Sequence, residues 1–342
     1  MEFWRGSDDW DAAQEELAAS GLTDGLPVIP PTTARVERML AHCNCAADET
    51  VATLPPAFGT ATWRDIAINA VMAGCRPEYL PIVGAAIEAL AAPEFNLIGI
   101  ATTTGGAAPL VIVNGPIARR IGMNAEGNAL GPGNRANATI GRAVSLALRN
   151  IGGATPGEID MATLGQPAKY TCCFAENEAA SPWQPLHVER GFDKNASVVT
   201  AVGIAGTVEI VDSVSASGAD LAQTYAQSML IAGSVGTSGA LGGGEPLLIM
   251  PPEHAASFHR DGHSKQQAKA AIYERAVLPF AQLSPAVRAH LEPLRSNAPL
   301  RVAQRADDVM IVVAGGVGAK AVYAPTWSGT TRAVSRAVRV AT

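Results

Sequence analysis

Pro109-Leu-Val-Ile-Val-Asn-Gly-Pro-Ile-Ala118 is the stretch on which the fold turns. Its run Leu110–Val113 is apolar throughout, rich in β-branched residues and closed by Asn-Gly-Pro, which predicts a buried strand ended by a turn. Pro246-Leu-Leu-Ile-Met-Pro-Pro-Glu-His-Ala255 aligns on it without a gap. A glycine cluster precedes each copy, Gly105-Gly106 or Gly242-Gly243-Gly244. A helical segment lies upstream of each (Pro77–Leu90, Ala219–Ala232) and another downstream (Ala138–Arg149, Lys265–Val277). The shared order predicts an α/β chain of two related halves, an internal duplication, each half with buried, mostly parallel strands flanked by helices. A third apolar run, Val309–Val313, enters Ala314-Gly-Gly-Val-Gly318, and a last helix is expected over Thr331–Val338. Ligands of such sheets sit beyond the carboxyl ends of the strands, so the loops after Val113, Met250 and Val313 are the expected site walls.

Outward from these strands, four regions are expected: an N-terminal helix and Pro-rich arm over 1–60, a first α/β half over 61–155, a polar connector over 156–198, and a second half over 199–342. In the first, Asp8–Ser20 carries Trp10, Ala13 and Leu17 on one helical stripe, with Gly21 after it. Thr23-Asp-Gly-Leu-Pro-Val-Ile-Pro-Pro-Thr32 has too many prolines for a sheet interior and is expected to lie extended along a surface or cleft. Thr62 with Asp65 opens a predicted helix over Trp63–Ala73, stopped by Gly74, and Ser264 with Gln267 opens another as a capping box.

The 342 residues are 48% hydrophobic and only 16% charged, which excludes disorder and predicts segments buried on both sides. The net charge of −6 and the lack of a basic cluster exclude duplex nucleic acid as a partner. No apolar stretch reaches the ~20 residues of a membrane helix, and no signal-peptide pattern precedes Asp11. Five cysteines (Cys43, Cys45, Cys75, Cys172, Cys173) are an odd count and no disulfide framework, so a reduced, cytoplasmic protein is expected. A homo-oligomer is also expected.

Gly131-Pro-Gly-Asn-Arg-Ala-Asn137 presents backbone amides at a helix start. Gly131, Gly133, Asn134, Arg135 and Asn137 are therefore candidates for holding a carboxylate or phosphate. Gly315, Gly316 and Gly318, with Lys320 nearby, form a second candidate loop at a strand end. Neither loop has the spacing of a Walker A or dinucleotide fingerprint. The densest chemistry lies in Lys169-Tyr-Thr-Cys-Cys-Phe-Ala-Glu-Asn-Glu178 and on to His187-Val-Glu-Arg190. Cys172 or Cys173 would be a nucleophile if Lys169 or Arg190 lowered its pKa, and Glu176, Glu178 and His187 would move protons. His254 follows a predicted strand end and joins the candidate catalytic set. Cys75 is expected to be a buried, inert thiol. His42-Cys43-Asn-Cys45 lacks the second ligand pair of a structural zinc site, and His254, His259 and His263 make no H-E-x-x-H, so no metal site is assigned. No motif names a cofactor.

Thr23–Thr32, Asn69-Ala-Val-Met-Ala-Gly-Cys-Arg-Pro-Glu-Tyr79, Ile112-Val-Asn-Gly-Pro116, Gly131–Gly141, Ala175-Glu-Asn-Glu178 and Pro252-Glu-His-Ala255 together resemble an uncharacterised bacterial family. Its members are similar to the large protein found beside, or fused to, a small domain bearing a Cys/selenocysteine-Gly-Ser-Cys motif (UGSC-type). The resemblance spans nearly the whole chain and implies thiol or selenol chemistry on a small metabolite. No Cys-Gly-Ser-Cys segment occurs up to Thr342, so the small thiol-motif protein is expected as a separate partner. The leading expectation is thus an enzyme or catalytic subunit acting on a small anionic metabolite in a cleft between the halves. Two alternatives stand beside it: a cysteine-independent lyase, hydratase or hydrolase using the Glu/His set, with or without a metal, and a non-catalytic scaffold.

Overall fold

In the computed structural model, residues 1, 3–7, 9–43, 45–231, 244–295, 299–327 and 330–339 are described. Gly242 and Gly243 of the second glycine cluster, Ala232, Asp8 and Asn44 lie outside them. The helices are α1 (Trp10–Ala19), α2 (Thr33–Leu40), α3 (Trp63–Ala73), α4 (Leu80–Leu90), α5 (Leu97–Thr102), α6 (Pro116–Arg120), α7 (Arg135–Asn150), α8 (Leu186–Glu189), α9 (Gly218–Ile231), α10 (Pro252–Arg260), α11 (Lys265–Arg275) and α12 (Pro285–Arg295). The strands are β1 (Thr50–Leu54), β2 (Gly59–Thr62), β3 (Ala108–Asn114), β4 (Cys173–Ala175), β5 (Val198–Ile204), β6 (Val208–Val211), β7 (Leu247–Met250), β8 (Val277–Leu278), β9 (Leu300–Arg301), β10 (Met310–Val313), β11 (Lys320–Ala324) and β12 (Val334–Ala337).

One four-stranded sheet has the order β12-β5-β3-β4 and the other β6-β11-β7-β10. The sense of pairing is the same in both: β12·β5 and β6·β11 are antiparallel, β5·β3 and β11·β7 are antiparallel, and β3·β4 and β7·β10 are parallel. The expectation of mostly parallel strands is therefore corrected to mixed sheets. The continuous apolar runs that suggested parallel strands arise because both faces of each sheet are covered, whatever the strand direction.

Period-two alternation shows what covers them. Leu110 and Ile112 face inward with Phe174 and Val202, against Leu247, Ile249 and Val312 of the other sheet. Their neighbours Val111 and Val113 pack with Val199 and Ala201 against α3, α4 and α7. In the second sheet Leu248, Met250, Ile311 and Val313 pack against α9, α10 and α11. The layers run helix, sheet, sheet, helix, with an apolar seam at the centre.

The helical layers follow local sequence closely. Thr62 and Asp65 form a reciprocal capping box at α3, and Gly74, at φ 88°, ends it. Ser264 and Gln267 do the same for α11. Gly84 of α4 lies against the Trp63 ring, where a Cβ would come within 2.2 Å of it, so only glycine lets the two helices close. The Pro-rich arm lies extended over this layer. Asp24 accepts two hydrogen bonds from Arg142 of α7 (2.8 and 2.7 Å), and Gln14 of α1 pairs with both backbone groups of Val28.

Sheet membership crosses the expected division of the chain, because β5 and β12, which fall at or beyond residue 198, both belong to the first sheet. The chain passes from first to second sheet after Ile204 and returns after Ala324. The two crossings bond to each other: Ala205 N donates to Pro325 O (2.8 Å) and Trp327 N to Gly203 O (3.2 Å). The helix expected over Thr331–Val338 is instead β12. Val334 and Val338 are spaced like a helical stripe, but the open edge of β5 offers ladder hydrogen bonds that the segment takes up.

Ile112 is fully buried in the central seam. Ile112→Ala is expected to lower unfolding stability by about 2–5 kcal/mol, read as a lower urea midpoint at unchanged m.

Candidate functional site

The parallel register of β3 and β4 pairs Val113 with Ala175, so the next residues, Asn114 and Glu176, emerge side by side at the carboxyl ends of the strands. Asn114 Nδ2 donates to Glu176 Oε2 (2.6 Å) and to Glu178 Oε1 (3.0 Å). Gly115 N also donates to Glu178 Oε1 (2.6 Å), and Leu186 N to Glu176 Oε2 (2.7 Å). His187, on α8, turns Nε2 toward the carbonyl of Lys194 at 3.3 Å. A carbonyl only accepts, so Nε2 carries the proton, and Nδ1 faces Glu178 Oε1 at 3.8 Å.

Asn114, Glu176 and His187 are buried, whereas Glu178 keeps 28% of its side chain exposed. Among the described residues Asn114 Oδ1, Glu176 Oε1 and His187 Nδ1 are buried without a hydrogen-bond partner. Buried polar atoms are almost always satisfied, so the orphans on Asn114 and Glu176, which touch each other, and on His187, which faces Glu178, leave hydrogen-bonding capacity that the chain itself does not use. Burial pushes the Glu176 carboxyl up, against the opposing pull of Lys265, the Leu186 amide and Asn114. Glu176 thus holds its proton more readily than an ordinary carboxyl, beside a more exposed Glu178.

Lys265 links this cluster to a cavity of about 570 Å3, walled by Trp183, Gln184, Glu189, His259, His263 and Lys265. Its ammonium meets Glu189 Oε2 at 2.8 Å and the Gln184 carbonyl at 3.3 Å. Lys269, one turn on, also pairs with Glu189. Burial works to raise the Glu189 carboxyl, but the two ammonium groups outweigh it and hold it below the usual range. Two buried cations around one carboxylate leave a positive surplus at the start of α11 that suits an anion.

The Gly131–Asn137 loop spends most of its polar atoms internally. Asn134 caps α7 by accepting from Asn137 N (3.0 Å), and its Nδ2 holds the Gly122 carbonyl (2.8 Å). Asn137 is buried and pins Asn124 and Ala129. Arg135 is exposed and donates through Nε to the Gly74 carbonyl (3.0 Å). The Gly315–Gly318 loop touches the same region: Gly315 N donates to Ala125 O (2.9 Å), and a Cβ on Gly316 would lie 2.9 Å from Gly127 Cα. Its nest of amides already holds an anion, because Gly318 N and Ala319 N both donate to Glu253 of α10. Asn177 N reaches Val313 O (2.8 Å), so the carboxyl ends of both parallel strand pairs stand together.

The thiols lie elsewhere. Cys172 precedes β4 and Glu176 follows it, so at ~3.3 Å per residue they sit at opposite ends of the strand. Burial pushes the Cys172 thiol up to about 12 and raises the Cys173 thiol well above its ordinary value, the reverse of an activated nucleophile. Lys169 is paired with Asp160 (2.5 Å), and Arg190 with Glu245 and the Ala333 carbonyl. Cys75 donates to the Thr139 carbonyl (3.2 Å), and burial likewise raises it to about 12. Cys43 and Cys45 form a disulfide, which corrects the expectation of an entirely reduced chain. His254 is buried under the second sheet, its Nδ1 on the Tyr225 hydroxyl and its Nε2 on the Asp212 carbonyl, both at 2.9 Å. Both of its ring nitrogens are thus engaged within the protein. Among the described residues no group of three or more His, Cys, Asp or Glu is placed to hold a metal.

Of the sequence candidates, Glu176, Glu178 and His187 come together, while Cys172, Cys173, Arg135 and His254 do not join them. Asn114, Glu189, Lys265 and Lys269 were not singled out. Asn114 sat inside a run read only as turn chemistry. A lysine at the first position of a helix opposes the helix dipole, and that is the signal that would have marked Lys265. No family model, no curated protein and no solved structure matches this chain.

Because its folded pKa is raised, Glu176 stabilises the protein below its unfolded value near 4.5 and loses that contribution as pH rises through the folded value. Urea titrations across the acid-to-neutral range are expected to show Glu176→Gln gaining on the wild type as pH rises. His254→Ala is expected to cost about 2–4 kcal/mol at neutral pH, since it opens a cavity and strands the Tyr225 hydroxyl.

Proposed function

We propose that the protein is an enzyme performing acid–base chemistry on a small anionic metabolite, without a cysteine nucleophile. The reading is carried by the raised, buried Glu176 with its orphaned oxygen, held against Glu178 and sharing Lys265 with a cavity of metabolite size. Lys265, on the cavity wall, receives the anionic group, with Lys269 behind it holding Glu189. Glu178, the partly exposed carboxylate, abstracts a proton, and His187 behind it stabilises the proton that Glu178 takes up. Glu176, its carboxyl pushed up by burial, delivers a proton to the departing or developing oxygen. For a β-hydroxy acid this is a lyase or hydratase step. The carbon–hydrogen bond breaks toward Glu178, its electron pair forms the double bond, the carbon–oxygen bond breaks, and Glu176 turns the leaving hydroxide into water. The matching order and sense of the two sheets, with β3 and β7 in equivalent places, support the reading of these halves as copies of one unit.

Deuterium incorporation from heavy water into a defined panel of hydroxy, keto and phosphorylated acids, read by mass spectrometry, tests the chemistry without presupposing the product. At least one acid is expected to gain deuterium with the wild type. Glu178→Gln is expected to slow this by about 10²–10⁴-fold, whereas a Cys172→Ser/Cys173→Ser double variant stays within a few-fold of wild type. Exchange abolished by the double variant and retained by Glu178→Gln would reverse the assignment.

A further inference from the structure

At the other end of the first sheet the chain from Ile151 to Cys172 crosses from α7 to β4 with only a single 3-10 turn, Pro167–Lys169. Irregular connections beyond about 12–15 residues are uncommon in compact domains and are usually functional or disordered. This one roofs a cavity of about 620 Å3 over α5, α7 and the start of β3. Leu97, Ile100 and Leu148 form much of its wall. Three of its charged groups are already spoken for: Asp24 by Arg142, and Lys169 and Asp160 by each other. Arg149 is not. It is half-buried, lines the cavity, and forms no side-chain hydrogen bond or ion pair with the described residues. Ser145 stands one turn before it on the same face of α7, and its hydroxyl likewise forms no hydrogen bond with the described residues.

An apolar chamber with one uncompensated guanidinium selects a ligand with a greasy body and a single negative charge. We infer that this cavity binds an aliphatic carboxylate, its head on the Arg149 fork and the Ser145 hydroxyl and its chain along Leu97, Ile100 and Leu148. The fork geometry matches a carboxylate through two parallel hydrogen bonds. Leu164, on the roofing segment and in the cavity lining, is 96% exposed, so apolar surface continues outward past the rim. The site is separate from the Glu176 cluster, being at the amino end of β3 rather than its carboxyl end, and stands or falls without it.

Calorimetric titration of the full chain with decanoate, below its micelle concentration, and with decan-1-ol as its uncharged counterpart provides the test. Decanoate is expected to bind at one site and decan-1-ol at least tenfold more weakly. A charge-assisted pair at ~1.5–3 kcal/mol corresponds to ~10–100-fold, so Arg149→Gln should weaken decanoate by that factor and leave decan-1-ol unchanged. Glu178→Gln should leave decanoate binding untouched, which separates this site from the acid–base proposal. Absence of saturable decanoate binding, equal binding of acid and alcohol, or full affinity in a folded Arg149→Gln would each overturn the inference.

Discussion

The constraint on which the rest of the structure depends is the burial of both faces of the central strands of both sheets. Leu110, Ile112 and Phe174 are pressed against Leu247, Ile249 and Val312, while the alternate side chains sit under helices. Apolar burial of this kind is worth roughly 25 cal/mol per Å2 and leaves no room along the strands for a charged group that lacks a partner. Polar chemistry is therefore driven to the strand ends. Asn114 and Glu176 appear at the first positions after the apolar runs of β3 and β4, where the backbone leaves the seam but the surroundings remain dry enough to perturb a carboxyl.

That geometry explains which parts of the sequence were legible. Leu110–Val113 and Val309–Val313 are strands because an apolar, β-branched run closed by glycine has few other stable outcomes, and the Thr62/Asp65 and Ser264/Gln267 boxes are local devices that need no tertiary information. Strand direction was not legible, because a run covered on both faces is uniformly apolar in either sense. Nor was the strand Val334–Ala337, four residues whose state is decided by the vacant edge of β5, more than a hundred residues earlier in the chain.

The site divides the same way. Glu176, Glu178 and His187 lie within one short segment, so their proximity could be read from spacing. Cys172 and Glu176 are as close in sequence, yet a strand holds them apart, and the same β4 that buries Cys173 raises its thiol. The glycine loops show a different confusion. A nest of amides announces an anion without saying whose, and at Gly318 and Ala319 the anion is Glu253 of the chain itself.

The two crossings between sheets then fix where ligands can enter. β5 continues into β6 of the other sheet and β11 into β12 of the first, and the crossings are bonded to each other at Ala205, Pro325, Gly203 and Trp327. Parting the sheets would break those bonds and expose the central seam, so a cleft that opens between them is disfavoured by the topology. The cavity beside Lys265 and the one beneath the Ile151–Cys172 segment instead lie off the seam.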